Sequence, residues 1–210
     1  MTVRLALMAA ALGLAVTLTA SACARPDSEG EAGRALSPPE SETELPVLPI
    51  GGDFTLTDQD GKPFTLSSLE GKAVLIFFGY TMCPDACPTT LSKLSSAYAK
   101  LTEDERRHVK AVYITIDPER DTPAVMKDHL TYFGVDAVGL TGTVEETSKV
   151  AAQFGAHFER TNDKTAAGYL MSHTVSVFGL DPKGRTRLLI DYEASVDLVV
   201  KEIRALLAAA

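Results

Sequence analysis

AVLIFFGYTMCPDACPTTL, residues 73 to 91, holds the decision about the fold. Residues 73 to 80 form a continuous apolar run of strand length and strand composition, the mark of a central strand buried on both faces. Cys83, Pro84, Cys87 and Pro88 follow at once, and beyond them Leu91, Leu94, Tyr98 and Leu101 recur at helical spacing. A buried strand, a cysteine loop and a helix therefore stand in direct succession. In open α/β sheets such a strand-to-helix turn is where ligands bind.

The flanking sequence continues the alternation. VKAVYITID (109 to 117) reads as a second buried strand. TPAVMKDHLTYFG (122 to 134) reads as a helix with Thr122 as N-cap, Pro123 at its first position and Gly134 as its stop. TVEETSKVAAQFG (143 to 155) reads as another, opened by a Thr143/Glu146 capping box and closed by Gly155. HTVSVFGLDPKGRTRLLID (173 to 191) is predicted to be a hairpin turning at 181 to 184. A last helix starts at Ser195 and buries Val196, Val199, Val200, Ile203 and Leu207. Upstream, FTLTDQDGKPFTL (54 to 66) reads as two short strands about Asp60-Gly61. The predicted class is α/β, a thioredoxin-like fold with an added N-terminal β-hairpin and an internal helical insertion.

The chain of 210 residues carries a formal charge of −8, which argues against nucleic acid as a partner, because phosphate binding needs a basic face. MTVRLALMAAALGLAVTLTASAC opens with Arg4, runs apolar from Leu5 to about Leu18 and ends in small residues, a secretory signal pattern over residues 1 to 22. Ala20-Ser21-Ala22 fits a simple cleavage site; with Cys23 it also resembles a lipoprotein box. The lipoprotein reading is preferred because Cys23 is otherwise an unexplained third thiol in an exported chain. The apolar run is short of the roughly 20 residues a spanning helix needs. Residues 23 to 50, rich in Pro, Glu, Ser and Gly, read as a flexible tether. The expectation is an exported protein on the outer face of the bacterial cytoplasmic membrane, held there through lipidated Cys23, with residues 51 to 210 as the folded domain.

The cysteine spacing leaves more than one chemistry open. If a regular helix began at Pro84, Pro88 would lack the N–H that bonds back to residue 84 and would clash there, so the helix is expected to start at Pro88 with Cys87 as N-cap. The helix N-terminus would then favour the Cys87 thiolate. C-x-x-x-C is wider than the C-x-x-C of thioredoxin-type dithiols and forms a loop able to wrap a metal ion. Disulfide closure stays possible, but so short a loop yields little stabilisation as a structural bridge. Two thiolates do not saturate a transition metal, and imidazole is the usual complement for copper. Of the four histidines, His108 in a charged turn, His129 in mid-helix and His157 after a helix stop have bland readings. His173 precedes the strand 174 to 178, in the segment that lies against the active-site loop of a thioredoxin-like fold, and is the favoured third ligand. Asp85, Asp117, Glu119, Arg120 and Asp121 frame the same end of the sheet, where structural roles are the stronger reading for them. Phe77 and Phe78 read as core, and Tyr80 alone is a candidate to flank the pocket.

GGDFTLTDQDGKPFTLSSLEGKAVLIFFGYTMCPDACPTTL, YITIDPERDTP, GLTG and GYLMSHTVSVFGLDPKG, in this order, resemble the Sco/SenC family of copper-binding, thioredoxin-fold proteins. The similarity runs from about Gly51 to the C-terminus. It implies one copper, Cu(I) or Cu(II), per domain, held by Cys83, Cys87 and His173. It further implies a metallochaperone that delivers copper to the dinuclear copper site of cytochrome c oxidase subunit II, or reduces the thiols of that site. The alternative is a thiol-disulfide oxidoreductase in which Cys83 and Cys87 form the redox pair. A peroxiredoxin-like peroxidase is disfavoured, because the TMCPDACP loop presents a close cysteine pair.

Overall fold

The computed structural model describes residues 45–165 and 168–209. The expected signal segment, Cys23 and the tether up to residue 44 lie outside the described residues. Residues 45 to 50, the end of the expected tether, lie against the folded body: Leu45 and Ile50 pack on the core, and the Leu48 N–H donates to the Thr186 carbonyl at 2.8 Å. No helix among the described residues is long and apolar enough to cross a membrane.

The run that opened the sequence argument becomes β3 (Ala73–Gly79), with all seven residues buried. It pairs in parallel with β4 (Val109–Thr115) and antiparallel with β8 (Val177–Leu180), which turns into β9 (Thr186–Ile190). On the far side β4 pairs in parallel with β5 (Ala137–Thr141), and the hairpin of β1 (Thr55–Asp58) and β2 (Pro63–Thr65) closes that edge. The seven-stranded order is β2-β1-β5-β4-β3-β8-β9, with β3, β4, β8 and β9 in the thioredoxin-like arrangement. The crossover from β3 to β4 is α1 (Ala86–Lys100) followed by the short α2 (Glu103–Arg107). Because β3 and β4 run parallel, the loops that leave their carboxyl ends lie side by side, joined by the Ile116 N–H donating to the Gly79 carbonyl at 2.9 Å.

The caps act where the sequence places them. In α3 (Pro123–Phe133) the Thr122 hydroxyl accepts from the Val125 N–H, and Gly134 ends the helix at φ +60. In α4 (Val144–Gln153) the Thr143/Glu146 capping box is complete. The packing between α4 and the sheet centres on Phe154, whose ring meets those of Phe54, Phe78 and Phe178 at centroid distances of 5.6–6.1 Å. The pairs with Phe54 and Phe178 are edge-on, an arrangement that adds about 0.5–1.5 kcal/mol each beyond area burial. In α5 (Val196–Ala208) the fully buried positions are Val199, Val200, Ile203 and Leu206; Val196 and Leu207 are only partly covered, so the buried stripe ends one residue earlier than expected.

Two expectations need correction. The insertion is not wholly helical: it contributes β5, and after α4 it forms a separate two-stranded sheet from β6 (Phe158–Thr165) and β7 (Gly168–His173). The sequence FERTNDKT has no apolar alternation, because this ribbon stands outside the main sheet and most of the β6 side chains described are exposed. And α1 begins at Ala86, with Asp85 as N-cap, so Cys87 lies inside the first turn. Pro88 is tolerated there because the first N–H groups of a helix have no intrahelical acceptor, and Pro84, whose carbonyl it would meet, stands outside the helix.

Candidate metal centre

Three elements converge at the carboxyl end of β3. The loop after β3 carries Cys83, the first turn of α1 carries Cys87, and the last residue of β7 is His173. One donor atom from each of these three lies within 4.8 Å of the other two, and no other such group of His, Cys, Asp or Glu occurs among the described residues. The Cys87 Sγ and His173 Nε2 are 3.6 Å apart, and the Cys87 N–H points at the Cys83 Sγ at 3.4 Å. Three donors bound to one ion at about 2.1–2.3 Å stand about 3.5–4 Å apart in a trigonal array, so small adjustments bring this trio to a common ion.

The tautomer of His173 suits that role. Its Nδ1 lies 2.8 Å from the Thr174 carbonyl, which accepts only, so Nδ1 carries the proton and Nε2 turns its lone pair towards Cys87. The ring sits edge-on to Tyr80 and Phe77 at centroid distances of 6.0 and 6.2 Å. Tyr80 thus flanks the pocket, as the sequence suggested, and its hydroxyl accepts from the Met171 N–H at 3.2 Å.

The cysteines divide their roles in the opposite sense to the expectation. Cys83, half-buried, is held down to about 3 by the hydrogen bond from the Cys87 thiol, against its partial burial, with help from the backbone N–H groups of Cys87 and Asp85. Cys87 is pushed well above the ordinary thiol value, first by donating to Cys83, then by burial and by the Cys83 charge. Since α1 starts before Cys87 rather than at it, the stabilising N–H groups of that turn serve Cys83. The reduced pair thus keeps one proton, on Cys87, which donates to the Cys83 thiolate.

A third loop pins the other two. The buried Asp121 carboxylate, in the segment between β4 and α3, accepts from the Thr81 N–H at 3.0 Å, the Thr81 hydroxyl at 2.5 Å and the Thr115 hydroxyl at 2.6 Å. It fixes the cysteine loop at its base. Burial raises its carboxyl above the usual range, with the Thr115 and Thr81 bonds opposing. Asp117, Glu119 and Arg120 of the same segment instead reach the β6–β7 ribbon through Tyr169 and Arg160. Asp85 is exposed beside the site. Sequence reasoning placed these acids nearby but missed Thr81, Tyr113 and Tyr169. Tyr113 faces the cysteines from β4, for a Cβ built on Gly79 would stand 2.9 Å from both its hydroxyl and the Cys87 Sγ.

The remaining histidines lie outside the cluster. His108 caps α2 with its Nδ1 against the Asp104 carbonyl, and His157 is exposed ahead of β6. The His129 ring packs between Tyr113 and Phe133, and its burial lowers its basicity.

The profile of the family SCO1/SenC matches residues 42–208. Protein SCO2, mitochondrial, of Saccharomyces cerevisiae is 36% identical over 137 residues, 65% of this chain and 46% of that protein. An SCO2-like protein of Rickettsia felis is 38% identical over 137 residues, 65% of this chain and 66% of that protein. The chain therefore spans about half to two thirds of the length of these curated relatives. Among solved structures, that of Bradyrhizobium japonicum ScoI with copper bound is 38% identical, with a TM-score of 0.68 over 75% of this chain and 99% of that one. With its thioredoxin-like sheet and a profile match over most of its length, the chain belongs to the SCO1/SenC family.

Proposed function

We propose that this protein binds one copper ion through Cys83 Sγ, Cys87 Sγ and His173 Nε2 and hands it on. The observation that carries the reading is the convergence of the three donors within 4.8 Å, with Nδ1 of His173 already committed to Thr174. Two thiolates and a neutral imidazole are soft and borderline donors that suit Cu(I), and the copper-bound Bradyrhizobium relative supports the choice of metal. Copper is cargo here. Cys83 is the first donor to present a thiolate, half-buried at the mouth of the site; Cys87, buried behind it, gives up its proton as the ion settles. A recipient approaching the mouth meets Cys83 first, which suits stepwise ligand exchange. The recipient we assign is the dinuclear copper site of cytochrome c oxidase subunit II, and the protein acts from the outer face of the bacterial cytoplasmic membrane, tethered through lipidated Cys23.

The contrast between the two sulfurs favours a second activity of the same pair. The Cys83 thiolate attacks one sulfur of a partner disulfide, and the other partner sulfur leaves as a thiolate. Cys87 then loses its proton and attacks Cys83, releasing the second partner thiolate and closing a Cys83–Cys87 disulfide. The partner gains two electrons and this chain loses two.

Anaerobic Cu(I) titration of the reduced full chain tests the first reading. One tightly bound equivalent, lost or greatly weakened in His173→Ala, supports it. Equal binding by the two proteins would remove His173 from the site, and disulfide reduction retained by the same variant would favour the second activity.

A further inference from the structure

The ribbon that carries His173 has no place in the main sheet, and an isolated two-stranded hairpin is marginal at best in water. Contacts with the body must therefore hold it closed. Along β7 the side chains of Tyr169, Met171 and His173 share one face, since alternate residues of a strand do so. Met171 packs on the core, and its N–H donates to Tyr80. At the far end, about 13 Å from His173 at strand rise, Tyr169 is held more elaborately.

The Tyr169 ring lies between two guanidinium groups, Arg120 at 3.7 Å and Arg160 at 3.6 Å from its centroid. Its hydroxyl donates to the Asp117 Oδ1 at 2.6 Å, and Arg120 Nη1 donates to its carbonyl at 3.1 Å. Asp117, buried, also accepts from Arg120 Nε at 2.5 Å, while Arg160 pairs with Glu119 at 2.7 Å. The segment between β4 and α3 thus grips the histidine ribbon through Asp117, Glu119 and Arg120 and grips the cysteine loop through Asp121. No surface ion pair alone would do this, since exposed pairs are worth little; here stacking, a buried acceptor and a backbone carbonyl act together.

We propose that Tyr169 and its clamp of Arg120, Arg160 and Asp117 form a latch that holds the β6–β7 ribbon against the body and so positions His173 over the cysteine pair. Released, the ribbon carries the imidazole away and leaves the two sulfurs to a partner. Tyr169 is a positioning residue, and this inference rests on His173 being a copper ligand.

The test is 15N NMR of the histidine rings in the Cu(I)-loaded full chain, for the native protein, Tyr169→Ala, Tyr169→Phe and, for assignment, His173→Ala. In the native protein the His173 Nε2 signal shifts on copper binding. In Tyr169→Ala that shift is lost in most molecules, copper affinity falls about tenfold or more, and the β3 and β4 amide signals stay in place. Tyr169→Phe keeps the stack but not the bond to Asp117 and gives an intermediate shift. In the apo protein the Met171 amide exchanges faster in Tyr169→Ala, while β3 amides do not. A native-like Nε2 shift in Tyr169→Ala overturns the latch with the ligand reading intact. No shift in the native protein removes His173 from the copper site and the latch with it. Should Tyr169→Ala fail to fold, Asp117→Asn decides by the same two signals.

Discussion

Gly79, the last residue of β3, offers the sharpest steric probe of the site. A Cβ added there would stand 2.9 Å from each of the Cys87 Sγ, the Phe77 ring and the Tyr113 hydroxyl. Gly79 is not among the glycines at positive φ, so Gly79→Ala brings crowding without backbone strain. Ordinary contact needs about 0.5 Å more on all three sides, and the three neighbours are at most 1% exposed, so they have nowhere to retreat. Overpacking of a tight core costs about 1–3 kcal/mol, and reduced freedom of the unfolded chain returns about 0.4–1 kcal/mol. The expected net loss is about 1–2 kcal/mol, which lowers the urea midpoint by about 0.5–1 M. Displacing the Cys87 sulfur by about half an ångström from a donor 3.6 Å away also loosens the trio, and we expect Cu(I) affinity to fall about tenfold, equivalent to about 1.4 kcal/mol. Urea unfolding of the reduced apo chain and competition for Cu(I) against a chromophoric chelator read the two effects separately. A variant with the native midpoint and the native affinity would refute the packing drawn around Cys87.

Two further outcomes follow from the same geometry. Alkylation of the reduced apo chain should modify Cys83 rapidly even at pH 5 to 6, its rate falling only as the pH drops towards about 3, whereas Cys87 stays unmodified until the protein unfolds; mass spectrometry of the modified peptides checks this. The sign for stability is that of a depressed group: the Cys83 thiolate contributes fully above the unfolded thiol value and its contribution is lost as pH falls through about 3, so equal rates at both cysteines, rising together near pH 8 to 9, would contradict it. Asp121→Ala leaves the Thr115 hydroxyl and the Thr81 N–H without their acceptor and should cost about 2–4 kcal/mol by thermal or urea unfolding, with faster amide exchange at Thr81; a loss below about 0.5 kcal/mol would show that the cysteine loop does not depend on this pin.

Much of this arrangement was legible in the sequence because local signals and burial agree there. The apolar run of β3, the Thr122, Thr143 and Ser195 caps, and the 181 to 184 turn each state their structure within a few residues. The cysteine pair and His173 were picked out by position, two at a strand-to-helix turn and one ahead of the hairpin. What escaped depends on contacts distant in sequence. The helix start turned on Pro88, whose cost vanishes within a first turn. The acid assignment of the cysteines reversed because the Cys87 thiol donates to Cys83 and is also buried, relations no spacing reveals. The β6–β7 ribbon was invisible since β6 offers the core little beyond Phe158 and most of its other described side chains are exposed, and Tyr169 owes its place largely to Arg120 and Asp117, about fifty residues earlier.

The measurement that bears most directly on the central claim is X-ray absorption at the copper edge of the Cu(I)-loaded full chain, beside His173→Ala. A Cys83, Cys87 and His173 site gives two sulfur scatterers and one imidazole nitrogen in the native protein, with the nitrogen absent from the variant. Two sulfurs alone in both, or an imidazole that persists without His173, would contradict it.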